Sequence, residues 1–149
     1  MKALVQRVSE AGVKVISANY ERAVKKGMVI LVGIKNGDSE REAEFVADKC
    51  CSLRIFEDAN QKMNLSIKDI DGEALVISQF TLYGDASRGN RPSFIEAARP
   101  EEANKLYEYF VSRMRLNLGA DKIKTGLFGE MMEVKIINDG PVTLMVESK

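Results

Sequence analysis

The sequence contains no histidine, and this absence excludes several common kinds of active site. Serine or cysteine nucleophiles activated by an imidazole need that residue, as do zinc sites with histidine ligands. The chain has only two cysteines, Cys50 and Cys51, which are neighbours in a helical pattern. A disulfide between adjacent cysteines is strained, so we interpret them as one buried and one half-buried thiol. Any catalysis is therefore expected to proceed without an imidazole base.

An excess of charge of one sign is also lacking, since 22 lysines and arginines balance 22 aspartates and glutamates. A neutral chain gives no overall indication of nucleic-acid binding, and only a local basic patch could supply one. No apolar run approaches the roughly 18 residues that cross a membrane. The N-terminal residues 1–7 become polar too early for a secretory signal, so we expect a cytoplasmic protein with no membrane partner.

Alternating and β-branched patterns predict most of the strands. Residues 2–8 and 12–18 predict a β-hairpin, and the continuous apolar run over 27–34 predicts a buried strand. A strong strand is expected over residues 74–82. Shorter strands complete the set, at residues 122–124, 131–138 and 142–147.

Two helices are predicted from their capping signals and apolar stripes. Ser39 and Glu42 form a capping-box pattern, which places the first helix over residues 39–52. Pro100 suits the first turn of the second helix, and Gly119 suits its end. The order of elements predicts an α+β fold, a single compact domain over residues 1–149. Its sheets should be largely antiparallel or mixed, with two main helices covering one face.

The first stretch that could carry chemistry is Ser78-Gln79-Phe80-Thr81-Leu82, at the end of an apolar strand. Buried serine and glutamine side chains are costly unless they find hydrogen-bond partners. Those partners could be neighbouring backbone groups, which is a purely structural role. Alternatively, the end of the strand lies at a pocket, where backbone N–H groups and the hydroxyl of Ser78 or Thr81 meet a ligand.

The second stretch is Asn-Asp-Gly-Pro-Val-Thr at residues 138–143. Its composition suits a tight turn between two strands. A Gly-Pro bond can also be cis, which turns two successive carbonyls to the same side. Two aligned acceptors could bind an ammonium group, and so read the handedness of an amino acid with backbone atoms alone.

Two glycine-containing loops carry weaker signals. Arg88 and Arg91 lie in the polar loop 84–93 and would suit phosphate contacts on RNA, although a solvated loop also explains them. In the loop 126–129, Phe128 could pack in the core or form the wall of a pocket.

Through these residues the sequence resembles the D-aminoacyl-tRNA deacylase family. Both signature motifs are present, one at residues 78–82 and the other, Asn-x-Gly-Pro-x-Thr, at residues 138–143. The resemblance implies a homodimeric hydrolase that removes wrong-handed amino acids from tRNA, with active sites at the dimer interface. Further stretches match in the same order along the chain, at residues 5–8, 53–56, 63–66, 91–94 and 126–132.

The resemblance also implies roles for individual residues. Gly140-Pro141 would be cis and would reach into the partner's site, where its carbonyls bind the α-amino group of a D-amino acid and exclude L side chains. Such a filter should also admit glycyl-tRNA. Arg7 would help to position this loop, to which Asn138 belongs. The remaining residues would line the catalytic site that holds the terminal adenosine: Ser78, Gln79, Phe80, Thr81, Phe128 and Met132.

The implied chemistry needs no histidine, metal or cofactor. Backbone N–H groups near Phe80 and Thr81 could stabilise the oxyanion, while the neighbouring ribose hydroxyl of the RNA helps to activate water. The alternative is Thr81 as a covalent nucleophile, which would need a base that the nearby sequence does not offer. Two other functions remain open, a non-catalytic RNA-binding module and a structural dimerisation domain. No DNA partner is expected.

Overall fold

Two long antiparallel strands form the frame of the fold in the computed structural model, which describes all 149 residues. They are β1 (Lys2–Val15) and β8 (Glu133–Glu147), which pair with each other along most of their length. On its other side, the first half of β1 pairs with β3 (Gly27–Gly33) and the second half with β2 (Tyr20–Val24). The outer edge of β8 has no strand partner.

The predicted hairpin between residues 2–8 and 12–18 is wrong, because β1 runs through this region without reversing. Its register with β8 shifts on either side of Val8, which marks β-bulges. A bulge bends a strand and increases its twist while the strand continues in the same direction. The chain reverses later, at the 3-10 turn Ile16–Ala18, where Asn19 takes a left-handed conformation with φ of 47°.

The centre of the main sheet is parallel, and it contains the buried strand that was predicted over residues 27–34. Strand β3 pairs with β6 (Glu73–Ser78), which in turn pairs with β7 (Ile123–Thr125). Parallel neighbours need a long crossover connection, and the chain between β3 and β6 contains a helix. A small separate sheet lies within the same connection and contains β4 (Phe56–Glu57) and β5 (Met63–Leu65).

Both predicted helices are confirmed. Helix α1 (Glu40–Ser52) starts at Ser39 in a capping box, and the bonds from Ser39 to the Glu42 carboxylate hold the pKa of Glu42 below its usual value. Helix α2 (Pro100–Leu118) ends at Gly119, whose N–H donates to the Arg115 carbonyl at 2.8 Å. No helix is long and apolar enough to cross a membrane.

The two helices cover one face of the sheet, as predicted, and build the larger core there. Arg113 of α2 joins them by donating from two nitrogens to the two carboxylate oxygens of Asp48, each at 2.7 Å. These bonds lower the pKa of Asp48. A second core lies on the other face of the sheet, against β1, β2 and β8. Because both cores share the same sheet, the molecule is a single α+β domain. The buried residues of the second core are Val8, Ala11, Val13, Val24, Val29, Leu75 and Ile77.

Candidate active site

The strand predicted over residues 74–82 ends at Ser78, and a 3-10 turn (Phe80–Tyr83) follows. The pairing of β6 with β3 ends here because Val32, opposite Ser78, is the last residue of β3 that pairs with β6. The Val32 carbonyl then accepts a hydrogen bond from the Gln79 N–H at 2.7 Å. The turn closes with a bond from the Leu82 N–H to the Gln79 carbonyl at 3.3 Å. The N–H groups of Phe80 and Thr81, which begin the turn, have no acceptor inside it.

The side chains of Gln79 and Thr81 are hydrogen-bonded to each other. The Gln79 amide nitrogen donates to the Thr81 hydroxyl oxygen, and Thr81 itself is exposed. An amide is not basic enough to remove a hydroxyl proton, whichever way its two ends are oriented. The group that contacts the Thr81 hydroxyl therefore cannot activate it as a nucleophile.

A cleft of about 680 Å³ opens beside this turn. It brings together five of the predicted site residues, which come from two distant parts of the sequence. Its floor contains Val32 and Ile77, from the ends of β3 and β6, and part of its wall comes from the start of α2. The predicted residues that line it are Ser78, Gln79, Phe80, Phe128 and Met132.

Phe128 and Met132 are held in the cleft wall by tight local packing. A side chain at Gly126 would overlap the sulfur of Met132, so the glycine allows that methionine to lie close to the backbone. The Phe128 ring lies 5.9 Å from the ring of Tyr107, whose hydroxyl donates to the Val76 carbonyl. Phe128 thus packs against the core and also forms a pocket wall, so both interpretations of its sequence position hold.

Beside the predicted residue Phe80, the rim of the cleft contains residues that the sequence did not single out. Phe80 and Phe94 form an edge-to-face pair with ring centroids 5.1 Å apart, and their exposed fractions are 55% and 36%. Arg99 and Glu130 are the charged residues in the lining. Glu130 accepts from the Ser17 hydroxyl at 3.3 Å. The matched stretches 91–94 and 126–132 contain Phe94 and Glu130, whereas no signal in the sequence pointed to Arg99.

The segment 138–143 is an excursion within one strand, so the predicted turn between two separate strands is wrong. Thr143 pairs with Gln6 and Asn138 pairs with Val8, which leaves the four residues between them opposite Arg7 alone. Both halves of β8 run in the same direction along β1. Gly140 and Pro141 are exposed at the excursion, and the peptide bond between them is cis.

Side chains at the two ends of this excursion hold it closed. The Asn138 amide donates to the Thr143 hydroxyl at 2.9 Å, and the Asn138 side-chain oxygen accepts from the Val142 N–H at 3.3 Å. Gln6 of β1 also donates to the Thr143 hydroxyl, at 3.2 Å. The asparagine and threonine of the motif therefore fix the conformation of the Gly-Pro segment through its ends.

Arg7 anchors the excursion from beneath and is the only charged residue that is buried as a whole, with 7% exposure. Its Nε donates to the Asp139 carbonyl at 3.1 Å, and its Nη1 donates to the Ile55 carbonyl at 2.7 Å. The Asp139 carboxylate lies 3.3 Å from Nε and balances the charge. A buried guanidinium is stable only with such partners, so this arrangement fixes the Asp139 backbone in one position.

The site residues thus form two groups within one chain. The cleft contains neither Arg7 nor any residue of the excursion 138–143. Another cavity of about 720 Å³ lies between β1, β2 and β8, but it contains none of the motif residues. Two ion pairs among its lining residues, Lys135 with Glu10 and Lys14 with Glu21, already satisfy their charges.

Residues 4–147 of the chain match the family model described as D-Tyr-tRNA(Tyr) deacylase. The chain belongs to this family. Membership confirms the expected hydrolase of ester bonds, and the matched region spans both residue groups described above. The deacylase family is also represented among relatives that match over the full length.

One such relative is the D-aminoacyl-tRNA deacylase of Desulfatibacillum aliphaticivorans, which is 54% identical over 149 residues and 100% of both chains. A solved structure named c-Myc DNA Unwinding Element Binding Protein is 40% identical, covers 100% of this chain and 99% of its own, and has a TM-score of 0.93. A probable eukaryotic D-amino acid tRNA deacylase, at 15% identity and a TM-score of 0.83, covers 99% of this chain and 98% of its own and shares the fold.

Proposed function

We propose that the protein hydrolyses the ester bond between a D-amino acid and the 3′ end of tRNA, releasing the free amino acid and the tRNA. The observation that carries this proposal is the cleft built by residues 78–80 in a chain that matches the deacylase family almost throughout. Such an activity belongs to translation quality control in the cytoplasm, where aminoacyl-tRNA is used.

The proposed reaction uses the free N–H groups at the start of the 3-10 turn. With the terminal adenosine between Phe128 and Met132, the ester carbonyl would reach the N–H groups of Phe80 and Thr81. Donors already fixed in place stabilise the negative oxygen that forms when water attacks, without reorganising during the reaction. The neighbouring ribose hydroxyl of the RNA would help to position and activate that water.

Direct attack by water predicts a small effect for Thr81→Val. This variant removes the hydroxyl and keeps the size of the side chain and the backbone N–H, so kcat should fall by less than about tenfold. A nucleophilic threonine would instead lose at least roughly a thousandfold. Single-turnover hydrolysis of D-aminoacyl-tRNA distinguishes the two, with Thr81→Ser as the control that retains the hydroxyl. Loss of all activity in the valine variant alone would favour the covalent mechanism.

The excursion 138–143 is proposed to act as the chirality filter. Its exposed backbone at Gly140-Pro141 would bind the α-amino group of the amino acid and occupy the space that an L side chain needs. Rigid support from Arg7, Asn138 and Thr143 favours this role, because a filter made of backbone must not yield to the wrong substrate. Glycine has no side chain to exclude, so glycyl-tRNA is also a proposed substrate.

A homodimer is proposed because the cleft and the excursion are separate in one chain, whereas the proposed reaction needs both of them at one substrate. The excursion of one subunit would complete the cleft of its partner. The unpaired outer edge of β8 supports this arrangement, since long free edges are normally covered. Exposed apolar residues on β8 also favour it, with Ile137 and Met145 exposed to 44% and 47%.

The proposed function is tested by the release of labelled amino acid from matched D-, L- and glycyl-tRNA, with and without a chelator. We expect rapid release from the D-substrate and from glycyl-tRNA, and no effect of the chelator. Equal release from the D- and L-substrates would support a hydrolase but contradict the proposed chirality filter. Salt-dependent tRNA binding without release from any substrate would favour the RNA-binding module.

A further inference from the structure

The rim of the cleft combines two half-exposed aromatic rings with one arginine, and two further arginines lie in the adjoining loop. Phe80 and Phe94 present their rings at the opening, and Arg99 lines the cleft beside them. Arg88 and Arg91 lie in the loop that leads directly into Phe94. Backbone bonds between Asp85 and Ser93, each 2.8 Å, close the base of this loop and attach it to the rim.

The three arginines have no acidic partners. Of the acidic residues near them in the chain or in the cleft, Glu96 is paired, whereas Glu101, Glu102 and Glu130 make no salt bridge. Arg88, Arg91 and Arg99 are absent from all nine salt bridges of the chain. Hydrogen bonds from Ser87, first from its side chain and then from its N–H at 2.8 Å, hold the pKa of Asp85 below its usual value, so this carboxylate is negatively charged. Glu96 pairs with Lys35 at 3.5 Å. The loop 84–93 itself contains two arginines and one carboxylate, Asp85, so it carries a net positive charge in a chain whose net charge is zero.

We infer that this rim, made of Phe94, Arg88, Arg91 and Arg99 beside Phe80, binds the unpaired nucleotides that precede the terminal adenosine of the substrate RNA. Aromatic faces stack on bases of any kind, and unpaired arginines contact the phosphates between them, which is the usual composition of a single-strand binding surface. The identity of the RNA rests on the proposed function. The inference that the rim binds a single strand does not, because it follows from the aromatic and arginine side chains of the rim.

The test measures binding without turnover, using fluorescein-labelled single-stranded RNAs that end in CCA and carry no amino acid. Affinity should rise from adenosine monophosphate to CCA and again to ACCA. Arg91→Ala and Arg99→Ala should each lower the slope of log affinity against log salt by about 0.7, the contribution of one phosphate on a single strand. Phe94→Leu should weaken ACCA binding roughly tenfold, through lost stacking, and leave that slope unchanged.

Arg115→Ala is the matched control, because Arg115 is exposed on α2 and lies about 24 Å from Arg99, the residue that precedes the helix. It should bind all the RNAs as the wild type does. Equal binding and equal salt slopes in the rim variants would overturn the inference. A change of oligomeric state in sedimentation, caused by the rim variants and not by Arg115→Ala, would also overturn it and identify the rim as a subunit contact.

Failure of this inference and failure of the proposed function give different results. If D-amino acid is released normally and the rim substitutions do not change RNA binding, the rim does not bind the substrate, and the proposed hydrolase activity still stands. Rim-dependent RNA binding without release from any aminoacyl-tRNA would support the rim and contradict the hydrolase.

Discussion

Gly140→Ala is expected to reduce the kcat/KM for D-aminoacyl-tRNA by about a hundredfold, the effect of a displacement of about 1 Å at an active site. Gly140 has a φ of 125°, which L side chains rarely adopt. A Cβ atom there would lie 3.0 Å from Nη2 of Arg7 and 2.9 Å from Cγ2 of Val142. The substitution therefore moves the backbone of the excursion, its buried anchor, or both. Steady-state hydrolysis by the purified variant measures the effect.

Gly37→Ala is a matched control for the backbone cost alone. Gly37 also has a positive φ, 87°, but a Cβ atom at that position would meet nothing within 4 Å. We expect it to lose some thermal stability and to retain its activity. Wild-type activity in Gly140→Ala would contradict the proposal that the excursion takes part in the reaction.

Mixed dimers of the proposed homodimer test where the excursion lies relative to the cleft. One subunit carries Gly140→Ala and the other Gly126→Ala, whose added carbon would overlap the Met132 sulfur and disrupt the cleft wall. If each site combines the cleft of one subunit with the excursion of the other, one of the two sites is intact, and about half of the activity should return. An inactive mixed dimer would show that the cleft and the excursion of the same chain work together.

Arg7→Lys is expected to lower the ratio of D- to L-hydrolysis by about tenfold or more while the protein still folds. The guanidinium donates to two carbonyls, those of Asp139 and Ile55, from different nitrogens. A lysine has one ammonium group and cannot match that planar geometry, so one carbonyl loses its donor. An unpaired buried carbonyl costs about 1–3 kcal/mol, and the excursion becomes free to move. Matched D- and L-substrates give the ratio.

Arg54→Lys serves as the control for this exchange. Arg54 is exposed and makes a single bond to a backbone carbonyl, from its Nε to Asn64 at 2.8 Å. Its replacement should leave the D-to-L ratio unchanged. Full selectivity in Arg7→Lys would mean that Asn138 and Thr143 hold the excursion without the arginine.

Local signals in the sequence were sufficient for the helices and for the buried strand β3. The capping box at Ser39 and the glycine at Gly119 act within a few residues, so they can be recognised without knowing the fold. The continuity of β1 could not be predicted, because its bulges arise from pairing with β8, more than 120 residues away. The early end of β6 is similar, since it depends on where the neighbouring strand β3 ends.

The candidate site divides in the same way. The motif at residues 78–82 and the aromatic loop around Phe128 indicated one pocket, and most of their named residues lie in one cleft. Thr81 lies outside that lining, and the excursion 138–143 lies elsewhere in the chain. Gln6 was missed because its bond to Thr143 exists only through strand pairing, and Arg99 was missed because nothing in the sequence connects it to the cleft.

The position of β1 has a consequence for how the protein unfolds on heating. Its buried residues, such as Val5 and Val13, lie between strands on both sides, so its amide protons should exchange with solvent only when the whole domain unfolds. Arg7 belongs to that strand. The buried anchor of the proposed filter should therefore keep its position on heating until the whole domain unfolds.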